Sequence, residues 1–305
     1  MTADNTSTVR NTLQNQRIGF IGLGLMGMPM AQNLHHARAH LTVHSRSQGP
    51  VDKLTARGGI QAVLSPSAVA DVADIIVLML SDTPAVEMVV AGDRGILSAL
   101  RPGTLLIDMG TTAAMTTKDL AARVEDKGGR YVDAPVSGGT IGAESGELVI
   151  MAGGAAVDMA RAGEIFNVLG KQTTHVGDVG AGQVAKAANQ MIVGLTIGAV
   201  AEALALARKA GIDPARVREA LQGGFADSRI LEVHGKRMVE HSFAPGGKCT
   251  TQRKDMEQAV ALGQALGIEL PATTLGRNLY DALIKAGHGD LDHSALIKAI
   301  DPEWA

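Results

Sequence analysis

Residues 182–210 constrain the fold more than any other stretch of the chain. They contain no proline, are rich in alanine and leucine, and stop at Gly211, a residue suited to the left-handed cap that ends many helices. At about 1.5 Å per residue they predict one uninterrupted helix of roughly 40 Å. Between Gln183 and Leu206 the only charges are Lys186 and Glu202. A helix so apolar is expected to be buried on most of its sides, with other elements packed around it. A membrane span is the rival reading. Lys186, Asn189 and Gln190 interrupt the apolar run, however, and residues 191–201 are too few to cross a hydrocarbon core of about 30 Å. Lys186, with Asn189 at i+3 and Gln190 at i+4, makes a polar patch on one face of the first two turns. A lone lysine near a helix start ordinarily lays its stem on apolar surface and lifts its ammonium to water, so the case for a working lysine depends on the rest of the chain.

At 305 residues the chain is long for one core, and two domains are expected. A net charge of −3 gives no reason to expect a nucleic acid or an anionic membrane surface as partner. Aromatic residues make up only 2%, which also argues against stacking platforms for bases. Cys249 is the only cysteine, so the chain can form neither an internal disulfide nor a thiolate cluster for a metal, and a reducing, cytoplasmic setting is expected. Residues 1–16 are polar and lack the apolar run of a secretory signal; they read as a disordered tail.

After the tail, Ile18-Gly19-Phe20-Ile21 reads as a strand and opens directly into Gly22-Leu23-Gly24-Leu25-Met26-Gly27, followed by apolar positions at helical spacing through Met30 and Leu34. Glycines so placed allow a tight turn, close approach to a pyrophosphate and close helix packing, while the helix start offers free N–H groups. A glycine pattern alone is common; its position between strand and helix makes it informative. A second strand, Leu41-Thr42-Val43-His44, ends in Ser45-Arg46-Ser47. An acidic residue about twenty positions after the glycines would hold the ribose hydroxyl of NAD. Here Ser45 and Arg46 offer a hydroxyl and a guanidinium to a 2′-phosphate, which favours NADP over NAD; the plainer alternative is a surface arginine.

Further strands are predicted at residues 75–80, 104–108, 132–133, 148–151 and 171–175, with helices at 85–90, 115–127 and 155–169. Apolar strands alternating with helices imply a mostly parallel sheet covered on both faces, with ligands beyond its C-terminal strand ends. Leu80 and Thr112 lie at two of those ends. At another, Ser137-Gly138-Gly139 offers bare N–H groups and a hydroxyl to a small anion such as a carboxylate, although glycine pairs are commonly only turns. Beyond residue 178 the pattern is all helical, with segments near 214–222, 227–239, 253–266 and 271–286 and a short one after Asp292. The domains expected are therefore 17–178, which binds a dinucleotide, and 179–305, which is all helix. His288 and His293 are five apart near a glycine-rich turn and read as surface or cap residues, not metal ligands.

Three motifs together resemble the β-hydroxyacid dehydrogenase family: residues 22–34, Asp133-Ala134-Pro135-Val136-Ser137-Gly138-Gly139, and Gly182-Gln183-Val184-Ala185-Lys186-Ala187-Ala188-Asn189-Gln190. Lys254-Asp255 is similar to its fourth signature. The resemblance covers nearly the whole chain after the tail. It implies an α/β Rossmann-type N-terminal domain followed by an all-α C-terminal domain, an active site between them, and a homodimer or homotetramer. It also implies Lys186 as catalytic acid/base, Ser137, Gly138 and Gly139 as the substrate carboxylate site, Asn189 and Gln190 as further substrate contacts, and Lys254 beside the nicotinamide. With Gly22, Leu23, Gly24, Leu25, Met26, Gly27, Ser45, Arg46, Leu80 and Thr112, Lys254 completes the expected cofactor site.

Lys-x-x-Asn-Gln, Gly223-Gly224 and the ending Leu291-Asp292-His293-Ser294-Ala295-Leu296 are most similar to the branch that reduces tartronate semialdehyde to glycerate. Related substrates are 3-hydroxyisobutyrate, 4-hydroxybutyrate or glyoxylate, and threonate-type sugar acids. A non-catalytic NADP-binding module is the rival from another class, and it would not need Lys186 flanked by two amides. The chain departs from the family twice: Gln190 stands where many members have asparagine, and Gly110 where serine is usual.

Overall fold

A computed structural model describes residues 13–304. The chain divides into two compact units, Met1–Lys186 and Ala187–Ala305. Of the stretch expected to be a tail, residues 1–12 lie outside the described residues, and residues 13–15 form a turn whose Leu13 is fully buried.

In the first unit strands and helices alternate: β1 (Arg17–Ile21), α1 (Gly27–His36), β2 (His40–His44), α2 (Gln48–Thr55), β3 (Ile60–Ala62), α3 (Pro66–Val72), β4 (Ile75–Leu78), α4 (Thr83–Ala91), β5 (Leu105–Asp108), α5 (Ala114–Asp126) and β6 (Arg130–Asp133). These six strands are parallel, in the order β3-β2-β1-β4-β5-β6. The order reverses between β1 and β4, the switch point where such sheets bind ligands. The sheet continues through β7 (Val136–Ser137), α6 (Gly139–Ser145), β8 (Leu148–Gly153), α7 (Ala156–Leu169) and β9 (Gly170–Gly177). Here β8 runs antiparallel to β6 and β7, and β9 parallel to β8.

The period of two along each strand divides its side chains between two cores. Ile18, Phe20, Ile75, Val77, Leu105 and Ile107 join one, with Met30 and Leu34 of α1. Ile21, Ile76, Leu78 and Leu106 join the other, with Val69 of α3, Val86 of α4 and Leu120 of α5. Both faces are therefore covered, as the near-continuous apolar strands require. The strand expected to reach residue 80 stops at Leu78, because Asp82 already accepts from Ala85 N as the cap of α4.

The long helix α8 (Ala181–Lys209) begins in the first unit and continues into the second. There it is followed by α9 (Pro214–Leu221), α10 (Arg229–Val239), α11 (Cys249–Ala265), α12 (Pro271–Leu283) and α13 (Ile297–Ile300). Ile197, Ala201 and Leu204 of α8 enter a core with Leu231, Met238, Met256, Tyr280 and Trp304. By length and composition α8 could cross a membrane, and 44% of its most apolar window is buried. The expectation that α8 would be buried on most of its sides fails along one stripe. Val184, Ile192 and Leu206 are 44%, 67% and 72% exposed, and Ala188 and Ala199 share that face.

Candidate active site

The turn between β1 and α1 follows its sequence pattern residue by residue. Gly22 has φ +104, and a side chain there would meet Met79 O at 2.3 Å. Gly27 lies so close to the turn that a Cβ would fall 1.8 Å from Gly22 O. Gly24, between them, is exposed and faces open space. The first and third glycines are thus required by the protein's own packing, and the second keeps a cradle clear beside the start of α1, which suits a dinucleotide's pyrophosphate. Leu80 packs against Gly22: its Cδ2 would lie 2.9 Å from a Cβ there. At the end of β2, Ser45 is half-buried and its Oγ accepts a long bond of 3.5 Å from Leu23 N, while Arg46 is exposed. Both stand beside the glycine turn, since Gly22 N donates to His44 O.

Lys186 is buried, and its Nζ donates to Val136 O at 2.7 Å. Val136 directly precedes Ser137-Gly138-Gly139, of which Ser137 is half-buried and the two glycines are exposed at the start of α6. The start of α8 is set by Asp133 at the end of β6: Oδ1 accepts from Gly180 N at 2.6 Å and Oδ2 from Gln183 N at 2.8 Å. Gly182 permits this approach, because a Cβ there would lie 2.5 Å from Met151 O and 2.7 Å from Asp133 O.

The loop after β5 is bolted to the same helix. Gln183 Oε1 accepts from Thr112 N, and its Nε2 donates to Gly110 O, both at 3.0 Å. Thr112 Oγ1 donates to Asp108 Oδ2 at 2.6 Å, and Gly110 N to Asp108 Oδ1 at 3.0 Å. Thr112, an expected cofactor contact, therefore has its N–H and hydroxyl turned into the protein. Burial pushes the Asp108 carboxyl up to about 6, against the hydrogen bonds from Thr112 and Gly110. Burial also raises Asp133, against the bonds from Gly180 and Gln183. Gly110 is the residue this loop accommodates, since a Cβ would sit 3.0 Å from Leu80 O and 3.2 Å from Asp108 Oδ1.

In the second unit Asn189 Nδ2 donates to Gln190 Oε1 at 2.8 Å. Gln190 Nε2 donates to Asp255 Oδ2 at 2.5 Å, with Gln252 Oε1 at 3.3 Å, and Gln252 Nε2 donates to Gln190 O. Both ends of the Gln190 amide are thus engaged by protein, and the half-buried Asn189 is the more accessible of the two. Lys254 Nζ pairs with Asp255 Oδ1 at 2.9 Å. Asp133, Gln183 and Asp255 stand in the family motifs but were given no role from sequence, and Gln252 was not singled out, because each acts through partners far along the chain.

His293 is half-buried, not a surface residue, and the cap of its short 3-10 turn is Asp292. The rings of His234 and His293 meet edge to face, and ligand atoms of both lie within 4.8 Å of Asp292. The Asp292 oxygens already accept from Ser294, Gly246 and Gly247, and Arg237 lies 3.2 Å away. Burial alone would raise this carboxyl, but His234, His293, Ser294 and Gly246 hold it well below the usual carboxylate range. A cation beside Arg237 would meet a carboxylate whose lone pairs are taken, so this group is a neutralised structural cluster.

The profile described as the NAD binding domain of 6-phosphogluconate dehydrogenase matches residues 17–177. The chain belongs to the β-hydroxyacid dehydrogenase family. A second profile, the NAD-binding of NADP-dependent 3-hydroxyisobutyrate dehydrogenase, matches residues 180–300 of this dehydrogenase. Its relatives include 2-hydroxy-3-oxopropionate reductase of Escherichia coli (strain K12), 47% identical over 286 residues, with 93% of this chain and 97% of that one covered. The 2-(hydroxymethyl)glutarate dehydrogenase of Eubacterium barkeri is 36% identical over 283 residues, covering 92% and 94%. The crystal structure of 3-hydroxyisobutyrate dehydrogenase from Salmonella typhimurium matches with a TM-score of 0.84 at 27% identity, covering 93% of this chain and 99% of that one. The protein is thus a hydroxyacid dehydrogenase or reductase that uses a nicotinamide cofactor.

Proposed function

We propose that this β-hydroxyacid dehydrogenase reduces a short aldehyde bearing a carboxylate, tartronate semialdehyde to glycerate first among candidates, with NADP(H) preferred over NAD(H) and in the cytoplasm. The observation that carries the reading is Lys186 Nζ on Val136 O, directly before the Ser137-Gly138-Gly139 turn. The relative from Escherichia coli supports the choice of substrate, since tartronate semialdehyde is 2-hydroxy-3-oxopropionate.

When bound, the nicotinamide cofactor supplies or takes up the hydride. Gly22, Leu23, Gly24, Leu25, Met26 and Gly27 would hold its pyrophosphate, and Leu80 and Lys254 would complete its contacts, while Thr112, its N–H and hydroxyl taken by Gln183 and Asp108, holds the loop instead. Ser45 and Arg46 take the 2′-phosphate. Lys186 holds a proton at Nζ, gives it to the carbonyl oxygen as charge develops there, and takes it back in the reverse direction. Val136 O keeps that ammonium next to the residues that take the substrate carboxylate: Ser137 through its hydroxyl, Gly138 and Gly139 through their N–H groups. Asn189 meets the hydroxyl beside the carbonyl, and Gln190, fixed by Asp255 and Gln252, sets its orientation. A second copy of the chain covers the apolar stripe of α8 marked by Val184, Ile192 and Leu206, giving a homodimer or homotetramer.

The test is kcat/KM for tartronate semialdehyde, succinic semialdehyde and methylmalonate semialdehyde with NADPH. Substrates without the hydroxyl leave Asn189, whose Nδ2 already meets Gln190, without its substrate partner and should be poorer by about one to two powers of ten. A clear preference for either of the latter two overturns the substrate assignment.

A further inference from the structure

Gln183 is only 2% exposed and has three groups in use. Its N–H meets Asp133, its Oε1 meets Thr112 N and its Nε2 meets Gly110 O. The orientation of the amide is forced: Thr112 N–H can only donate and Gly110 O can only accept. The loop clamped in this way is itself pinned to the end of β5, because Asp108 accepts from Gly110 N and Thr112 Oγ1. On the other side Gln183 belongs to the first turn of α8, three residues before Lys186 and so on the same helix face. One amide therefore joins a loop at a C-terminal strand end to the helix turn below Lys186.

We propose that Gln183 is a positioning residue, an amide clamp that fixes the loop of residues 110–112 relative to Lys186 Nζ. The proposal rests on the reading of Lys186 as the proton-holding group. The clamp demands one acceptor and one donor at fixed places. Methionine at 183 supplies neither. Glutamate supplies the acceptor for Thr112 N, but when ionised it sets a second oxygen against Gly110 O. When protonated, its O–H donates to Gly110 O and the clamp is restored. A buried carboxyl takes up its proton more readily than one in water, so this restoration falls within the range of an assay.

The experiment compares Gln183→Met and Gln183→Glu with the unaltered enzyme between pH 5.5 and 8, with NADPH affinity by fluorescence titration and folded fraction by circular dichroism at each pH. For Gln183→Met, kcat should fall about 10- to 100-fold, the scale of a roughly 1 Å misplacement, while NADPH affinity stays within about threefold. For Gln183→Glu, the ratio of its kcat to that of the unaltered enzyme should rise about tenfold or more from pH 8 to pH 5.5. Asp108, Tyr131 and Asp133, the titratable groups around the clamp, are common to both proteins, so the change in the ratio reports the added carboxyl together with its coupling to them. Normal kcat in folded Gln183→Met, or a ratio for Gln183→Glu that does not change with pH, overturns the clamp. Failure of Gln183→Glu to fold at pH 5.5 does so too, since the protonated acid should satisfy both partners. If Lys186→Ala kept its turnover, the reading beneath would fail; a flat ratio with Lys186 essential defeats the clamp alone.

Discussion

Lys186 Nζ lies 2.7 Å from Val136 O, so the only lysine of α8's apolar stretch is tied to the strand that leads into Ser137-Gly138-Gly139. The bond joins two motifs 50 residues apart. It turns a helix position into a place in the sheet: the ammonium is held by a neutral carbonyl beside a run of backbone N–H groups. That juxtaposition is what a carboxylate-bearing carbonyl substrate needs, and four measurements follow from the surrounding geometry.

The glycines of the first turn should respond differently to a methyl group. Gly27→Ala puts a Cβ 1.8 Å from Gly22 O and should destabilise the fold by about 3 kcal/mol or more. Gly24→Ala meets open space, so stability should change by no more than about 0.5 kcal/mol. Cofactor affinity should nevertheless fall by about tenfold in that variant, through the lost approach of backbone to phosphate. Thermal melts and a cofactor titration of both variants check this; equal melting losses would show that the turn is misread.

Arg46 stands exposed beside the glycine turn, where a carboxylate would otherwise meet the ribose. Arg46→Ala should reduce kcat/KM for NADPH by about 10- to 100-fold, the scale of a charge-assisted bond, and leave that for NADH nearly unchanged. Equal effects on both cofactors would mean that Arg46 does not meet the 2′-phosphate.

Asp108 carries a pH signature. Its carboxyl is raised in the fold to about 6 from an ordinary value of 3.8. Between those values the folded state binds more protons than the unfolded one, so this group's contribution to stability falls as pH rises from about 4 to about 6 and stays reduced above. The whole change is at most roughly 3 kcal/mol. In Asp108→Asn the descent in the curve of melting temperature against pH should become smaller, leaving the part that Asp133, also raised by burial, contributes. A curve parallel to that of the unaltered protein would show that Asp108 keeps an ordinary carboxyl.

How much of this could be read in the residues alone depended on how far each one's partners lie along the chain. Gly22, Gly24 and Gly27 were legible because strand, turn and helix are contiguous and the spacing carries the role. Lys186 stood out as a charge in an apolar helix. Ser65 and Pro66 did announce α3, as a cap and a first-turn proline, yet α2, α3 and β3 are short and went unread. Gln183 looked like one more helix residue, since the groups it clamps lie 71 and 73 residues earlier. Gln190 was expected to face substrate, but Asp255, 65 residues on, holds its amide. Which stripe of α8 stays exposed was not legible, because composition alone does not tell a core contact from a face left to solvent within one chain.

Lys186 is the group proposed to move the proton. The most direct test is single-turnover and steady-state reduction of tartronate semialdehyde by Lys186→Ala, with NADPH affinity measured on the same preparation. The expected result is a fall in kcat of about 10²- to 10⁴-fold with cofactor affinity nearly unchanged. Near-normal turnover in a variant that still binds NADPH tightly would contradict it.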